Sequence, residues 1–174
     1  MQEMPEQQAY GRWFSLIAWL LIMLVIFWFA QKHLARRENP NMQVQGSVQA
    51  DGSRQVQLRA NAAGHFVGTI ELNQQPVQFM LDTGATAIAV PEQLAAQLGM
   101  KKGMVMTLDT ANGSSRGYSS HIEQLKLGPI ELQNVRAIIT TGMEGDEILL
   151  GMSALNQLEF SKRDNTLTLI QHLN

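Results

Sequence analysis

Trp13 to Ala30 is a run of 18 residues in which Ser15 is the only polar side chain. At about 1.5 Å per helical residue it spans roughly 27 Å, close to the thickness of a bilayer's hydrocarbon core. The run therefore reads as a transmembrane helix. Trp13 at one end and Trp28 with Phe29 at the other match the aromatic belts of the two interfaces, and Arg12 and Lys32 close the segment with charge. A cleaved signal peptide would have a shorter apolar core followed by a small-x-small site. Here Gln-Lys-His-Leu-Ala-Arg-Arg comes after Ala30 instead, which reads as a stop. Lys32, Arg36 and Arg37 after the helix outnumber Arg12 before it, so the positive-inside rule favours a cytoplasmic C-terminal domain. A single N-terminal anchor can equally export the domain behind it, and the orientation stays open on charge alone.

A chain of 174 residues with such an anchor has room for one further domain with a real core. Thirteen Lys and Arg against fifteen Asp and Glu give a net charge of -2, with no basic footprint for nucleic acid. With no cysteine, thiol nucleophiles, disulfides and thiolate metal sites are excluded.

Residues 1–12 form a short tail. Residues 31–53 are polar, with breakers at Asn39-Pro40-Asn41, Gly46 and Asp51-Gly52, and read as a linker. The folded domain is expected over 54–174. Its signals are strand-like: alternation in Gln55 to Leu58, a turn at Asn61 to Gly64, and a run from Phe66 to Leu72, together read as a hairpin. A turn at Asn73 to Pro76 leads into Val77 to Leu81, and Ile88 and Val90 form a short strand ended by Pro91. Pro91 to Gly99 has Pro at its start, an acid in the first turn and Gly as its stop, the pattern of a short helix. Strands are expected again at Val105 to Leu108, Ile122 to Leu127, Ile130 to Ile139 and Glu147 to Leu150, with turns at Asn112-Gly113 and Gly128-Pro129. Gly151 to Leu158 reads as a second short helix before a last hairpin through Arg163-Asp164-Asn165.

One turn carries chemistry. A peptide bond can be hydrolysed without metal, thiol or activated serine by two carboxylates that share a proton and hold a water between them, one acting as base and the other as acid. Such carboxylates must come from tight turns. The apolar strand Val77 to Leu81 delivers Asp82 to one, Thr83 can hydrogen-bond locally, Gly84 permits close backbone approach, and small Ala85 and Thr86 leave room for a substrate. Most Asp-x-Gly tripeptides are plain turns. Here apolar residues on both sides are expected to bury the carboxylate, and burying a charge without a partner is costly.

Phe79-Met80-Leu81-Asp82-Thr83-Gly84-Ala85-Thr86 resembles the active-site motif of retropepsin-like aspartic proteases. Ile148-Leu149-Leu150-Gly151, followed by a short helix and a strand pair ending in Leu167-Thr168-Leu169, is similar to that family's apolar-apolar-Gly element. Asn112-Gly113, between Val105 to Thr110 and Arg116 to Ser120, lies where the family carries its flap hairpin. The resemblance covers about residues 54 to 170 and is nearest to bacterial members with an N-terminal membrane anchor. It implies an all-β, retropepsin-like half-barrel with one or two short helices behind the transmembrane helix. It further implies that Asp82 is the catalytic aspartate, Thr83 a brace between paired turns and Gly84 the glycine the substrate approaches. A dyad needs a second Asp-Thr/Ser-Gly, and the nearest match, Asp109-Thr110-Ala111, lacks the glycine. The resemblance therefore implies a symmetric homodimer, each protomer contributing Asp82 to an isologous interface, with an extended peptide as substrate and no cofactor. Likeness to anchored bacterial members also points to a single-pass inner-membrane protein with a periplasmic domain, against the charge rule.

Other residues carry weaker signals. His33, His65, His121 and His172 are scattered without ligand spacing, so no metal site is expected. Met100, Met104 and Met106 read as core gap-fillers rather than a pocket beside the flap. Glu144, Asp146 and Glu147 lack calcium-loop spacing and read as a solvated loop. Two other functional readings remain: a non-catalytic module that keeps the fold for dimerisation or peptide binding, and a membrane-bound scaffold indifferent to Asp82.

Overall fold

The computed structural model describes residues 6–110 and 113–172. Two units are present, one ending at Arg37 and a second running from Glu38 to the C-terminus. The first is a single helix, α1 (Glu6–Glu38), whose Trp13–Glu38 stretch is long and apolar enough to cross a membrane. Toward the end of its apolar run, Trp28 meets Phe29 edge-on and the Lys32 ammonium lies 5.0 Å from the Trp28 ring centre, a charge-on-aromatic contact suited to an interface.

The second unit is built from strands. β1 (Gly46–Val48), β2 (Arg54–Arg59), β10 (Glu159–Arg163) and β11 (Thr166–Gln171) form a four-stranded sheet in the order β1-β2-β11-β10. β3 (Val67–Leu72), β4 (Gln75–Leu81), β5 (Ile88–Pro91), β6 (Val105–Thr110), β7 (Gly113–Leu127), β8 (Ile130–Thr140) and β9 (Glu147–Leu150) form a seven-stranded sheet in the order β3-β4-β9-β5-β8-β7-β6. Its β3 also pairs with β7 through Glu71–Lys126 and Leu72–Leu125, so the sheet curls back on itself. Alternation along the strands, which changes phase in β7 between Ile122 and Leu125, sends Phe79, Ile88, Ile122, Leu125, Ile139 and Ile148 into one core with Val56, Leu58, Leu167 and Leu169 of the smaller sheet. Two helices, α2 (Glu92–Gln97) and α3 (Met152–Leu155), bury Leu94, Ala95, Ala154 and Leu155. The all-β half-barrel with short helices, behind one apolar helix, is the architecture the sequence implied.

Three expectations need correction. Residues 54–72 form no hairpin: β2 pairs with β1 and β11, whereas β3 pairs with β4 and β7. The turn at Asn61 exists, with the Gly64 N–H donating to Asn61 O at 3.0 Å, but it hands the chain from one sheet to the other. Alternation marks a strand without naming its partner. The segment 38–53 is likewise no free linker. Asn41 is buried, β1 sits in the smaller sheet, and Gly46 lies so close to Pro129 that a Cβ would come within 2.3 Å of its ring. The second helix is shorter than expected, ending at Leu155.

The β3–β4 connection is as tight as the sequence suggests. Asn73 and Gln74 both take positive φ, as a two-residue hairpin requires. The Asn73 side-chain oxygen then accepts from the Glu123 and Gln124 N–H groups at 3.1 and 3.2 Å, pinning that hairpin to β7.

Candidate active site

β4 is packed between β3 and β9, and β9 runs parallel to it with Leu81 opposite Leu150. On its other side β9 meets β5 at Ala89–Leu149. The two strands flanking the Asp-Thr-Gly turn are thus held apart by a third strand, and the turn projects past its end. Backbone bonds continue the ladder into the turn: Leu81 N–H donates to Phe66 O at 2.9 Å and Asp82 N–H to Leu150 O at 3.1 Å. The turn closes with Ala85 N–H on Asp82 O at 3.3 Å, and Gly84 N–H donates to Asp82 Oδ1 at 2.8 Å. This local side-chain turn fixes where the carboxylate points.

The far side of the turn is locked by the chain after β9. Met152 N–H donates to Ala85 O at 2.8 Å. The Ser153 hydroxyl accepts from Ile88 N–H at 3.1 Å and donates to Arg136 O at 2.7 Å, tying α3 to β5 and β8. Between them, Gly151 faces Ala85 O and Ala87 O at a distance no side chain could occupy. The apolar-apolar-Gly element thus acts as the seat of the Asp82 turn. Ser153 was not legible as part of it, because a serine inside a short helix has no pattern of its own; only the fold brings it beneath Ile88.

Asp82 is half-buried, and Thr83, Gly84 and Thr86 are exposed. The expected burial of the carboxylate is therefore incomplete in a single chain: the flanking apolar residues go into the core, while the turn stands at the surface. Among the described residues neither ion pair involves Asp82. Period-two alternation puts Asp82 on the same sheet face as Met80. In register with Met80 lie Leu149, Ala89 and Ile138, all half-buried. Asp82 therefore stands at the border of an apolar strip that runs across four strands.

Glu147 continues that strip on β9, opposite Gln78, and is half-buried. Burial, and secondarily the charge of Asp146, push its carboxyl above the ordinary glutamate range, with His65 opposing. Glu144 and Asp146 are exposed in the loop before it, so the solvated-loop reading holds for these two and fails for Glu147.

Where a flap was expected, β6 pairs with β7 from Val105–Tyr118 to Thr110–Gly113. Gly113 has φ of +105° at its start, while Asn112 and Ala111 lie outside the described residues. Asp109 pairs with Ser114 within this hairpin, on the sheet's edge strand rather than in a turn beside Asp82. Met104, just before β6, and Met106 on it are exposed, so neither fills a core gap; of the three only Met100 packs against the core. Among the described residues no three His, Asp or Glu side chains gather in a way that would hold a metal.

Comparison with known proteins agrees with this architecture. The family model for "gag-polyprotein putative aspartyl protease" matches residues 68–157, just over half of the chain. An uncharacterised Sinorhizobium protein encoded in the 5′ region of cobV is 30% identical over 113 residues, covering 63% of this chain and 48% of that protein. The chain thus spans about half the length of that relative. An uncharacterised protein of Rickettsia prowazekii (strain Madrid E) is 27% identical over 167 residues, 91% of this chain and 71% of the relative. Among solved structures, a retropepsin-like aspartic protease from Rickettsia conorii superposes with a TM-score of 0.57 at 28% identity, covering 66% of this chain and 98% of that one. With the matched segment holding both the Asp82 turn and its Gly151 seat, the chain belongs to the retropepsin-like aspartic protease family.

Proposed function

We propose that the chain is an aspartic endopeptidase, anchored in a membrane by α1 and completed by dimerisation, in which two copies of Asp82 share one proton and hold the attacking water. Two carboxylates about 3 Å apart cannot both ionise, so the pair carries a base and an acid together. The ionised Asp82 takes a proton from the water as its oxygen attacks the peptide carbonyl, and the protonated partner gives its proton to the carbonyl oxygen. The resulting intermediate collapses with a proton passed to the leaving amine. The flap would close over an extended peptide bound by strand addition, its side chains against the strip of Met80, Leu149, Ala89 and Ile138.

The observation that carries this reading is the state of Asp82 in one chain: oriented by the Gly84 N–H, only half-buried beside exposed Thr83 and Gly84, and without a second Asp-Thr/Ser-Gly in the sequence. An aspartate buried as a structural turn would need none of that openness. Thr83 is proposed as the brace between the two turns, and Ala85 and Thr86 as the wall nearest the scissile bond. Asp82→Asn should abolish peptide hydrolysis, a drop of at least about a thousandfold, with an unchanged circular dichroism spectrum. Full hydrolysis by that variant at mildly acid pH would overturn the protease reading. An inactive wild type that still binds peptide would favour the non-catalytic module.

A membrane-proximal or exported protein is the proposed substrate class, with the domain on the periplasmic side of a bacterial inner membrane. Reporter fusions at the C-terminus test this: a reporter active only outside the cytoplasm should light up, and a cytoplasmic reporter should stay dark.

A further inference from the structure

α1 runs through Lys32, Arg36 and Arg37 to Glu38, and the strand-built unit begins at that same residue. No stretch of chain is left over as a flexible tether. The Asn61 side-chain amide donates to Glu38 O at 3.2 Å, the Asn39 side-chain amide donates to Gln78 Oε1 at 3.3 Å, and Asn41 is buried. Gln78 shares a sheet face with Met80 and Asp82 and lies in register with Glu147. The chain therefore enters the strand-built unit at one end of the strip on which Asp82 stands.

Covalent geometry then limits how far Asp82 can stand from a bilayer that holds α1, at any angle between helix and strands. The eight residues from Ala30, last of the apolar run, to Glu38 rise roughly 12 Å as helix. The four strand residues from Gln78 to Asp82 add roughly 13 Å. With the Asn39 and Gln78 side chains between them counted at about 1.5 Å per bond, Asp82 lies within about 40 Å of the hydrocarbon edge. A peptide extended at about 3.3 Å per residue covers that distance in roughly a dozen residues.

We propose that the substrate is itself an integral membrane protein, cut within about a dozen residues of the point where its transmembrane helix leaves the bilayer. The proposal rests on the anchored-protease reading above and narrows its substrate class to one place on one kind of protein. A groove that takes a peptide by strand addition needs an unfolded stretch. The connection between a transmembrane helix and a folded outer domain supplies one at the right height. Confinement to one bilayer also raises the effective concentration of that stretch above that of a soluble peptide. Hydrolysis adds water across the peptide bond, OH to the carbonyl carbon and H to the amide nitrogen, so the outer domain leaves with one new terminus and the membrane stump keeps the other.

The full chain, reconstituted in vesicles with reporter proteins, supplies the test. Each reporter carries one transmembrane helix, a proline-rich spacer and a peptide, chosen from a random library, that the full chain cleaves in detergent solution. Such spacers extend about 3.1 Å per residue, so one of about ten residues holds the peptide within reach and one of about thirty holds it beyond. The short-spacer reporter should be cut at least about tenfold faster than the long-spacer reporter, and than the free peptide at equal bulk concentration. Inserting about twenty residues of the same proline-rich sequence between Arg37 and Glu38 should reverse the order of the two reporters, with hydrolysis of the free peptide unchanged. If Asp82-dependent hydrolysis is seen but spacer length makes no difference, or the preferred spacer stays the same after the insertion, the substrate inference is wrong and the protease reading stands. If no peptide in the library is cut, both fall.

Discussion

Gly151 shows how closely the Asp82 turn is fitted. A Cβ there would come 2.3 Å from Ala87 O and 2.6 Å from Ala85 O, both backbone atoms that cannot swing aside. Gly151→Ala should therefore cost about 2–3 kcal/mol of stability by overpacking and should displace the turn that carries Asp82. A chemical denaturation midpoint and a peptide cleavage assay would both fall. Glu147 gives a pH-dependent prediction of definite sign. Its folded-state carboxyl titrates above the ordinary range, chiefly through burial, so the folded protein holds that proton more tightly than the unfolded chain. The stability this brings is present in acid, below the ordinary glutamate value, and is lost as pH rises through the raised one. Glu147→Gln, which stays neutral, should melt higher than wild type at neutral pH, and the gap should close as the pH is lowered through that window. Melting curves across pH read it directly.

At the scale of elements, Asn41 joins the two sheets. Its side-chain amide donates to Arg59 O at 2.9 Å and Val67 O at 2.6 Å, its oxygen accepts Arg59 N–H at 2.8 Å, and its own carbonyl accepts Thr69 N–H at 3.3 Å. β2 ends and β3 begins at this residue. Asn41→Leu would take the partner from Val67 O in a buried bond and from Arg59 N–H and O in part-buried ones, and should cost about 2–3 kcal/mol, read as a lower denaturation midpoint. The sequence hid this role: an Asn beside a proline in a polar stretch has the composition of a linker, and nothing local says that its amide will find the ends of two distant strands. The same limit explains the false hairpin at 54–72. At Asn73 the sequence showed the turn, though not that the strands on either side of it pair. A partner more than a hundred residues away, as β11 is from β2, was not legible at all.

At the scale of the whole molecule, a site shared between two copies would make activity depend on concentration. If two copies of Asp82 are needed, hydrolysis per protomer should fall on dilution through the dimer constant, whereas a site complete within one chain would be indifferent. Confinement by α1 should raise the effective concentration. The full chain in vesicles is expected to hydrolyse peptide faster per protomer than the unit beginning at Glu38 in solution at the same bulk concentration. Equal rates at every dilution would remove dimerisation from the mechanism.

The sequence by itself determined the apolar helix, the strand-rich domain and the turn that presents Asp82. Each is written in contiguous residues, as a run long enough for a bilayer, a period of two, or an apolar strand ending in Asp-Thr-Gly. Only the tertiary structure decided that Asn41 and β1 belong to the fold, that Ser153 and Gly151 seat the turn, that Glu147 is half-buried, and that Asp82 stands open at the surface. Those facts depend on contacts between distant segments, whose free energy comes from buried area and matched backbone bonds that no local pattern encodes.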